Sequence, residues 1–157
     1  MIIFLNGSIN SGKSTIAKTL IKKMPNTAHI EVDDLREFIS WMSLDESIPI
    51  NLENTIALIK NFLKRGLNVI VTYPLSESNF DYLQDNLKDI SEEIYLFTLN
   101  PNLETVLSRG KRLSNYERKR IKYHYQIGIN KPSFGVILDT TNQTPEETVA
   151  DIMSQLK

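Results

Sequence analysis

The chain has 157 residues, of which 41% are hydrophobic and 24% charged, and these values predict one soluble globular domain over residues 1–157. A net charge of −1 makes nucleic acid an unlikely partner and gives no field that would attract an anionic membrane. The absence of cysteine excludes disulfides and thiolate metal sites. With no signal-peptide pattern and no apolar run long enough to span a membrane, a cytoplasmic location is predicted.

Five short apolar runs have the character of buried parallel strands, because their apolar residues do not alternate with polar ones. These runs are Ile2–Leu5, Ala28–Val32, Asn68–Tyr73, Ile94–Leu99 and Gly135–Leu138. Helical patterns separate the runs, and strands that alternate with helices predict an α/β fold with helices on both faces of a parallel sheet. Right-handed crossovers are the expected connections.

The helices between these strands are predicted from apolar residues that recur every three or four positions. The ranges are Lys13–Met24, Leu52–Arg65 and Asn79–Leu87. Two further helices are predicted by capping boxes, in which a hydroxyl residue precedes a glutamate by three positions. The pairs are Ser114 with Glu117, for a helix that reaches about Ile127, and Thr144 with Glu147, followed by a C-terminal helix. Asn100-Pro101 is predicted to begin another helix.

Between the first strand and the first helix lies GSINSGKS, residues 7–14, which fits the pattern G-x-x-x-x-G-K-[ST]. Glycines let backbone N–H groups wrap around phosphate oxygens, and the helix N-terminus adds positive charge. A lysine in this position neutralises β- and γ-phosphates, and the hydroxyl after it can ligate Mg²⁺. A chance match is about a one-in-a-hundred event at ordinary glycine frequency. The sequence therefore predicts a site for ATP and Mg²⁺, formed by Gly7, Asn10, Ser11, Gly12, Lys13, Ser14 and Thr15.

Two carboxylates, Asp33 and Asp34, follow the second predicted strand, and Arg36 comes a turn later. Ligands of open α/β sheets bind at the carboxyl ends of the strands. We therefore predict that Asp33 deprotonates an acceptor hydroxyl and helps to hold Mg²⁺, and that Arg36 contacts an anionic part of the acceptor or a phosphate. The alternative is that Asp33 and Asp34 only cap a helix beginning at Leu35. Tyr73, at the end of the third strand, is a further candidate contact for the acceptor.

A basic segment after the fourth strand carries seven Lys or Arg residues between Arg109 and Lys122. A nucleotide kinase needs a mobile cationic lid at this point, so we predict a lid over about residues 109–120. Arg109, Lys111 and Arg112 are suited to neutralise the transferring phosphoryl group. For the basic residues from Arg118 to Lys122, a solvated helix face is the favoured interpretation.

The pieces IIFLNGSINSGKSTI, VDDLREFI, SRGKR and VILDTTNQTPEET, in this order, resemble the small P-loop kinases around shikimate kinase and, more closely, chloramphenicol phosphotransferase. The resemblance implies a three-layer P-loop NTPase fold with a five-stranded parallel sheet in the order 2-3-1-4-5. It implies that Asp33 is the base, that Arg109 and Arg112 are lid arginines, and that Arg109 stacks on the base of the nucleotide. The adenine is expected near the loop Thr140–Thr144, and Mg²⁺ on Ser14, phosphates and water, with possible help from Asp33.

The sequence thus predicts an ATP-dependent kinase that transfers the γ-phosphate to a hydroxyl of a small molecule. The acceptor and the oligomeric state stay open, because YPLSESN after the third strand and the insert Ser40–Asn54 match no acceptor-binding pattern. An acceptor-side cap is predicted over about residues 34–54. Two alternatives also stay open: a nucleoside, nucleotide or polynucleotide 5′-kinase, since D-x-x-R after the second strand occurs there too, and a regulatory ATP-binding module without an acceptor.

Overall fold

The computed structural model describes residues 1–109 and 112–156. Within these residues, five parallel strands form one sheet in the order β2-β3-β1-β4-β5, which confirms the predicted fold class. The strands are β1 Ile2–Asn6, β2 Thr27–Glu31, β3 Asn68–Thr72, β4 Ile94–Leu99 and β5 Val136–Leu138. Each strand boundary lies within one residue of its predicted position.

Seven α-helices connect and cover the strands in the described part of the chain. They are α1 Lys13–Lys23, α2 Val32–Arg36, α3 Leu44–Leu63, α4 Glu77–Leu87, α5 Leu103–Ser108, α6 Asn115–Gln126 and α7 Pro145–Ser154. A short 3₁₀ helix, Glu37–Ile39, follows α2. No helix among the described residues is both long enough and apolar enough to cross a membrane.

The sheet and the helices on its two faces form three layers, and the pleat of the strands explains this arrangement. Successive side chains of β1 point to opposite faces of the sheet, so Ile2 and Phe4 pack in a core with α3 and α4. Ile3 and Leu5 pack in a second core with α1 and α7. Complete burial of each such side chain contributes about 1.5–3 kcal/mol of hydrophobic free energy, so both faces stabilise the central strand.

Three helices begin earlier than the sequence predicted. Helix α4 begins at Glu77 rather than Asn79. Helix α3 begins at Leu44 rather than Leu52, with Ser43 and Glu46 forming a capping box, although Pro49 lies inside it. Most of the insert Ser40–Asn54 is therefore helical. Helix α2 begins at Val32, so the capping alternative for the two acidic residues is wrong: they lie in its first turn, and Glu31 occupies the N-cap position.

Candidate active site

The glycine-rich loop between β1 and α1 wraps around the side chain of Lys13. This side chain is buried, and its Nζ donates hydrogen bonds to the carbonyl oxygens of Gly7 (3.0 Å) and Ser8 (2.9 Å). Burial lowers the pKa of Lys13, while the negative charges of Glu31 and Asp33 oppose that shift. The ammonium group of Lys13 therefore donates to neutral carbonyl oxygens, and it could form an ion pair with an anionic ligand in the loop.

The backbone of the loop requires glycine at its first position. Gly7 has a φ of 140°, and a Cβ there would lie 2.7 Å from the carbonyl oxygen of Leu99. Any larger residue would push the loop away from β4. A cleft of about 220 Å³ opens beside the loop, and its lining contains five of the predicted nucleotide-binding residues: Asn10, Gly12, Lys13, Ser14 and Thr15.

Asn10 also anchors the loop to the start of the predicted lid. Its backbone is left-handed, with a φ of 63°, and its Nδ2 donates to the carbonyl oxygens of Val106 (2.8 Å) and Arg109 (2.9 Å). The side-chain amide therefore positions the segment after α5. Because the side-chain amide is used in this way, we expect Asn10 to bind a nucleotide through its backbone N–H group.

A second cleft, of about 240 Å³, lies between the loop and the start of α7. Arg109 crosses it, because Nη2 donates to the carbonyl oxygen of Thr140 (2.9 Å) and Nη1 to that of Ser11 (3.4 Å). Ser11 and Thr140 line the cleft, and their buried hydroxyl oxygens have no hydrogen-bond partner among the described residues. These orphaned polar atoms fit a ligand with polar groups, at the position predicted for the adenine.

A carboxylate that the sequence analysis missed lies beside Ser14. The Ser14 hydroxyl donates a hydrogen bond of 2.5 Å to Oε2 of Glu31, the last residue of β2. A hydroxyl and carboxylates supply the hard oxygen ligands that Mg²⁺ prefers, so these residues together with Asp33 fit the predicted ion. Sequence spacing could have indicated Glu31 as a site residue, because it precedes Asp33 by two residues at the carboxyl end of the strand.

A third cleft, of about 220 Å³, contains the predicted acceptor-binding residues Asp33, Arg36 and Tyr73. Burial raises the pKa of the Asp33 carboxyl, and the positive charge of Lys13 opposes that shift. Burial also raises the pKa of Tyr73 to about 12, so its phenol keeps its proton near neutral pH. The carboxylate predicted as the base thus lies within electrostatic reach of the phosphate-binding lysine.

Only some of the residues of the predicted lid lie at the site. Arg112 is exposed and does not line the three clefts, while Gly110 and Lys111 lie outside the described residues. Arg120, for which a solvated position was predicted, is half-buried and lines the acceptor cleft. The reason is helical spacing, because Arg120 and the buried His124 are four residues apart on one face of α6.

His124 connects α6 to the glycine-rich loop. Its side chain is 3% exposed, and its Nδ1 lies 3.2 Å from the Ser8 hydroxyl. Burial, together with the positive charges of Arg120 and Lys13, lowers the pKa of His124 to about 4. The ring is therefore neutral near physiological pH.

Acidification is expected to destabilise the wild-type protein more than a His124→Gln variant between pH 6.5 and about 4. In this window the unfolded chain binds a proton at His124 that the folded chain resists, so stability falls as the pH falls. The difference is on the order of 2 kcal/mol, allowing for water near the ring. Urea unfolding across this pH range measures it. Burial also lowers the pKa of His29 on the edge strand, so a His29→Gln variant measures the separate contribution of that histidine. Identical pH slopes for wild type and His124→Gln would contradict the assignment.

The sequence of the whole chain, residues 1–157, matches the family described as chloramphenicol phosphotransferase-like protein. The chain belongs to this family of P-loop proteins. This agrees with the resemblance of its motifs, and the observed strand order agrees with the fold that the resemblance implied.

The individual relatives have low sequence identity to this chain or match only part of it. A cytidine diphosphoramidate kinase of Campylobacter jejuni is 33% identical over 101 residues, which cover 60% of this chain and only 59% of that relative. A sugar kinase from Janibacter sp. has a similar structure, with a TM-score of 0.75, 18% identity, and coverage of 98% of this chain and 92% of that one. An APS kinase of Mycobacterium tuberculosis in complex with AMPPNP and APS has a TM-score of 0.72 and 14% identity, covering 98% and 95% of the two chains. These two structures share the fold.

Proposed function

We propose that this protein is an ATP-dependent phosphotransferase that phosphorylates a hydroxyl group of a small molecule. The observation that carries the proposal is the position of Asp33, which lines the acceptor cleft within electrostatic reach of Lys13 in the phosphate-binding loop. A phosphoryl group held by the loop would then lie next to a carboxylate that can take a proton. Bringing the two groups together in this way is the main requirement of phosphoryl transfer.

The loop and its neighbours hold the donor in this proposal. Lys13 and the loop N–H groups bind the phosphates, and Arg109 orders the cleft for the adenine. Ser14, Glu31 and Asp33 would hold Mg²⁺, which when bound supplies positive charge against the β- and γ-phosphate oxygens. Arg112, from the lid, would add a further cation when the lid closes.

Asp33 accepts the proton of the acceptor hydroxyl as that oxygen forms a bond to the γ-phosphorus. The bond between the γ-phosphorus and the bridging oxygen breaks, and its electron pair leaves with ADP. Tyr73, protonated near neutral pH, can donate a hydrogen bond to the acceptor within the same cleft. Positioning and charge neutralisation account for most of the rate in this scheme.

The relatives support a kinase of small molecules, because their names refer to sugar, cytidine diphosphoramidate and APS kinases. An alcohol as the acceptor group is part of our proposal. A cytoplasmic location also belongs to it, since ATP is abundant there and a chain without cysteine needs no oxidising compartment.

Phosphate transfer from MgATP to a panel of sugars, sugar acids, nucleosides, nucleotides and 5′-hydroxyl oligonucleotides tests the proposal. We expect a mass increase of one phosphoryl group in a small molecule, together with ADP release, and neither with a Lys13→Met variant. A phosphorylated oligonucleotide would instead support a polynucleotide kinase. ATP binding with only slow hydrolysis across the panel would support a regulatory module.

Replacing Glu31 with glutamine is expected to weaken the Mg²⁺ dependence of nucleotide binding. Loss of one carboxylate beside Ser14 should lower the affinity for the ion by about 10-fold or more. Calorimetry with ATP, with and without Mg²⁺, measures this directly, and the affinity for metal-free ATP should stay unchanged. Glu53→Gln, at an exposed position of α3, is the matched control. An unchanged effect of Mg²⁺ in Glu31→Gln would remove Glu31 from the metal site.

A further inference from the structure

We propose that the acceptor carries an oxyanion, a phosphate or a carboxylate, and that Arg36 and Arg120 bind it. This inference rests on the proposed function, because it names the substrate class of the same site. It adds Arg120 as a specificity-determining residue and excludes uncharged compounds as the preferred acceptors.

The two arginines reach the acceptor cleft from different parts of the fold. Arg36 is the last residue of α2, directly after β2, whereas Arg120 lies in the middle of α6. Both line the cleft that contains Asp33 and Tyr73, and the positive charges of both guanidinium groups act on the phenol of Tyr73. Two cations from separate elements are thus directed to one small cavity.

Neither arginine forms a close ion pair with a described residue, although the carboxylates of Asp33 and Glu37 line the same cleft. Among residues 1–109 and 112–156, no carboxylate oxygen lies within 4.0 Å of either guanidinium group. The Nε of Arg36 is buried and has no hydrogen-bond partner in this part of the chain, and Arg120 contacts the ring of Tyr123, whose centroid lies 5.5 Å from its Cζ. Shielding a cation from water without an anion is unfavourable, so an anionic ligand would recover that free energy.

The distribution of charge in the cleft also gives the acceptor an orientation. An anionic acceptor is repelled by Asp33, so its oxyanion would lie at the arginines and its hydroxyl would point to the base. The planar fork of guanidinium matches the two oxygens of a phosphate or carboxylate. An uncharged acceptor such as chloramphenicol carries no anionic group to form an ion pair with either cation.

Calorimetry on the full chain saturated with MgADP tests this inference, since the bound nucleotide keeps the probes out of the donor site. The probes are cytidine 5′-diphosphate, gluconate and uncharged cytidine. We expect at least one anionic probe to bind at least about 10-fold more tightly than cytidine, as charge-assisted hydrogen bonds predict. Comparing cytidine 5′-diphosphate with gluconate tells a phosphate from a carboxylate ligand.

Arg36→Gln and Arg120→Gln should each weaken binding of the anionic probe by about 10-fold or more. Arg118→Gln removes the same charge from an exposed position of α6 and should have no effect. Trp41, the single tryptophan, follows Arg36 in the chain and offers a fluorescence readout of the same titration.

Binding of MgADP separates the failure of this inference from the failure of the proposed function. If MgADP does not bind, the proposed function fails, and this inference fails with it. If MgADP binds, three outcomes overturn the inference alone: equal affinity for charged and uncharged probes, no effect of either arginine variant, or no binding of any anionic probe at millimolar concentration.

Discussion

An Asp33→Asn variant is expected to turn over at least ~100-fold more slowly than the wild type while binding ATP with unchanged affinity. Asparagine keeps the size and polarity of the side chain but cannot accept the proton of an acceptor hydroxyl. The carboxylate lines the acceptor cleft, next to the phosphate-binding loop, so its loss should affect the chemical step and not the donor site. Steady-state kinetics on the identified acceptor and calorimetry with MgATP measure the two quantities.

The pKa of Asp33 gives this experiment a second readout. Burial raises this pKa, so the folded protein holds the proton more tightly than the unfolded chain does, and stability falls as the pH rises through the window between the two values. Above that window the ionised carboxylate has at most a small destabilising effect, because the side chain is partly exposed to water. Asp33→Asn should therefore unfold at the same temperature as the wild type or higher at neutral pH, which separates lost catalysis from lost folding.

The matched control is Asp34→Asn, at the neighbouring position that does not line the acceptor cleft, and it should keep nearly full activity. The acidic limb of the pH–rate profile should disappear in Asp33→Asn and remain in the control. Full activity of Asp33→Asn would remove the base assignment. Weaker binding of MgATP, with metal-free ATP unaffected, would support the proposed contact of Asp33 with the metal.

A Lys13→Met variant is expected to lose measurable binding of MgATP and to turn over about 10³-fold more slowly, the scale for removing a major phosphate-binding cation. The Lys13 side chain is buried inside the loop and is held by the carbonyl oxygens of Gly7 and Ser8. Methionine has a similar length and no charge, so it can fill the same space. The carbonyl oxygens of Gly7 and Ser8 lose a hydrogen-bond donor, but the variant also removes the cost of burying a cation, so the fold should persist.

Equilibrium binding of MgATP and thermal unfolding test this prediction together. Lys18→Met, on the exposed side of the same helix, removes the same charge and should behave as the wild type. If Lys13→Met binds MgATP normally with an unchanged unfolding temperature, the loop does not hold the phosphates as proposed.

Local patterns in the sequence were sufficient for most of the fold. The buried strands are continuous apolar runs, which local sequence predicts well because burial on both faces removes polar positions. The capping boxes at Ser114 and Thr144 were also predicted correctly, since a cap depends on residues only three positions apart. Helix α3 was predicted to begin at Leu52, where its apolar repeat was traced, and the capping box that starts it at Ser43 was missed.

Only the tertiary structure revealed the partners of the candidate site. The hydrogen bond from Ser14 to Glu31 and the contact between Ser8 and His124 join residues that are 17 and 116 positions apart. The place of Arg120 in the acceptor cleft depends on which face α6 turns towards the loop. Sequence alone determined the phosphate-binding loop and the strand pattern, because both depend on neighbouring residues. The residues that meet across the clefts were decided by packing, because contacts between distant segments exist only once the sheet and helices are assembled.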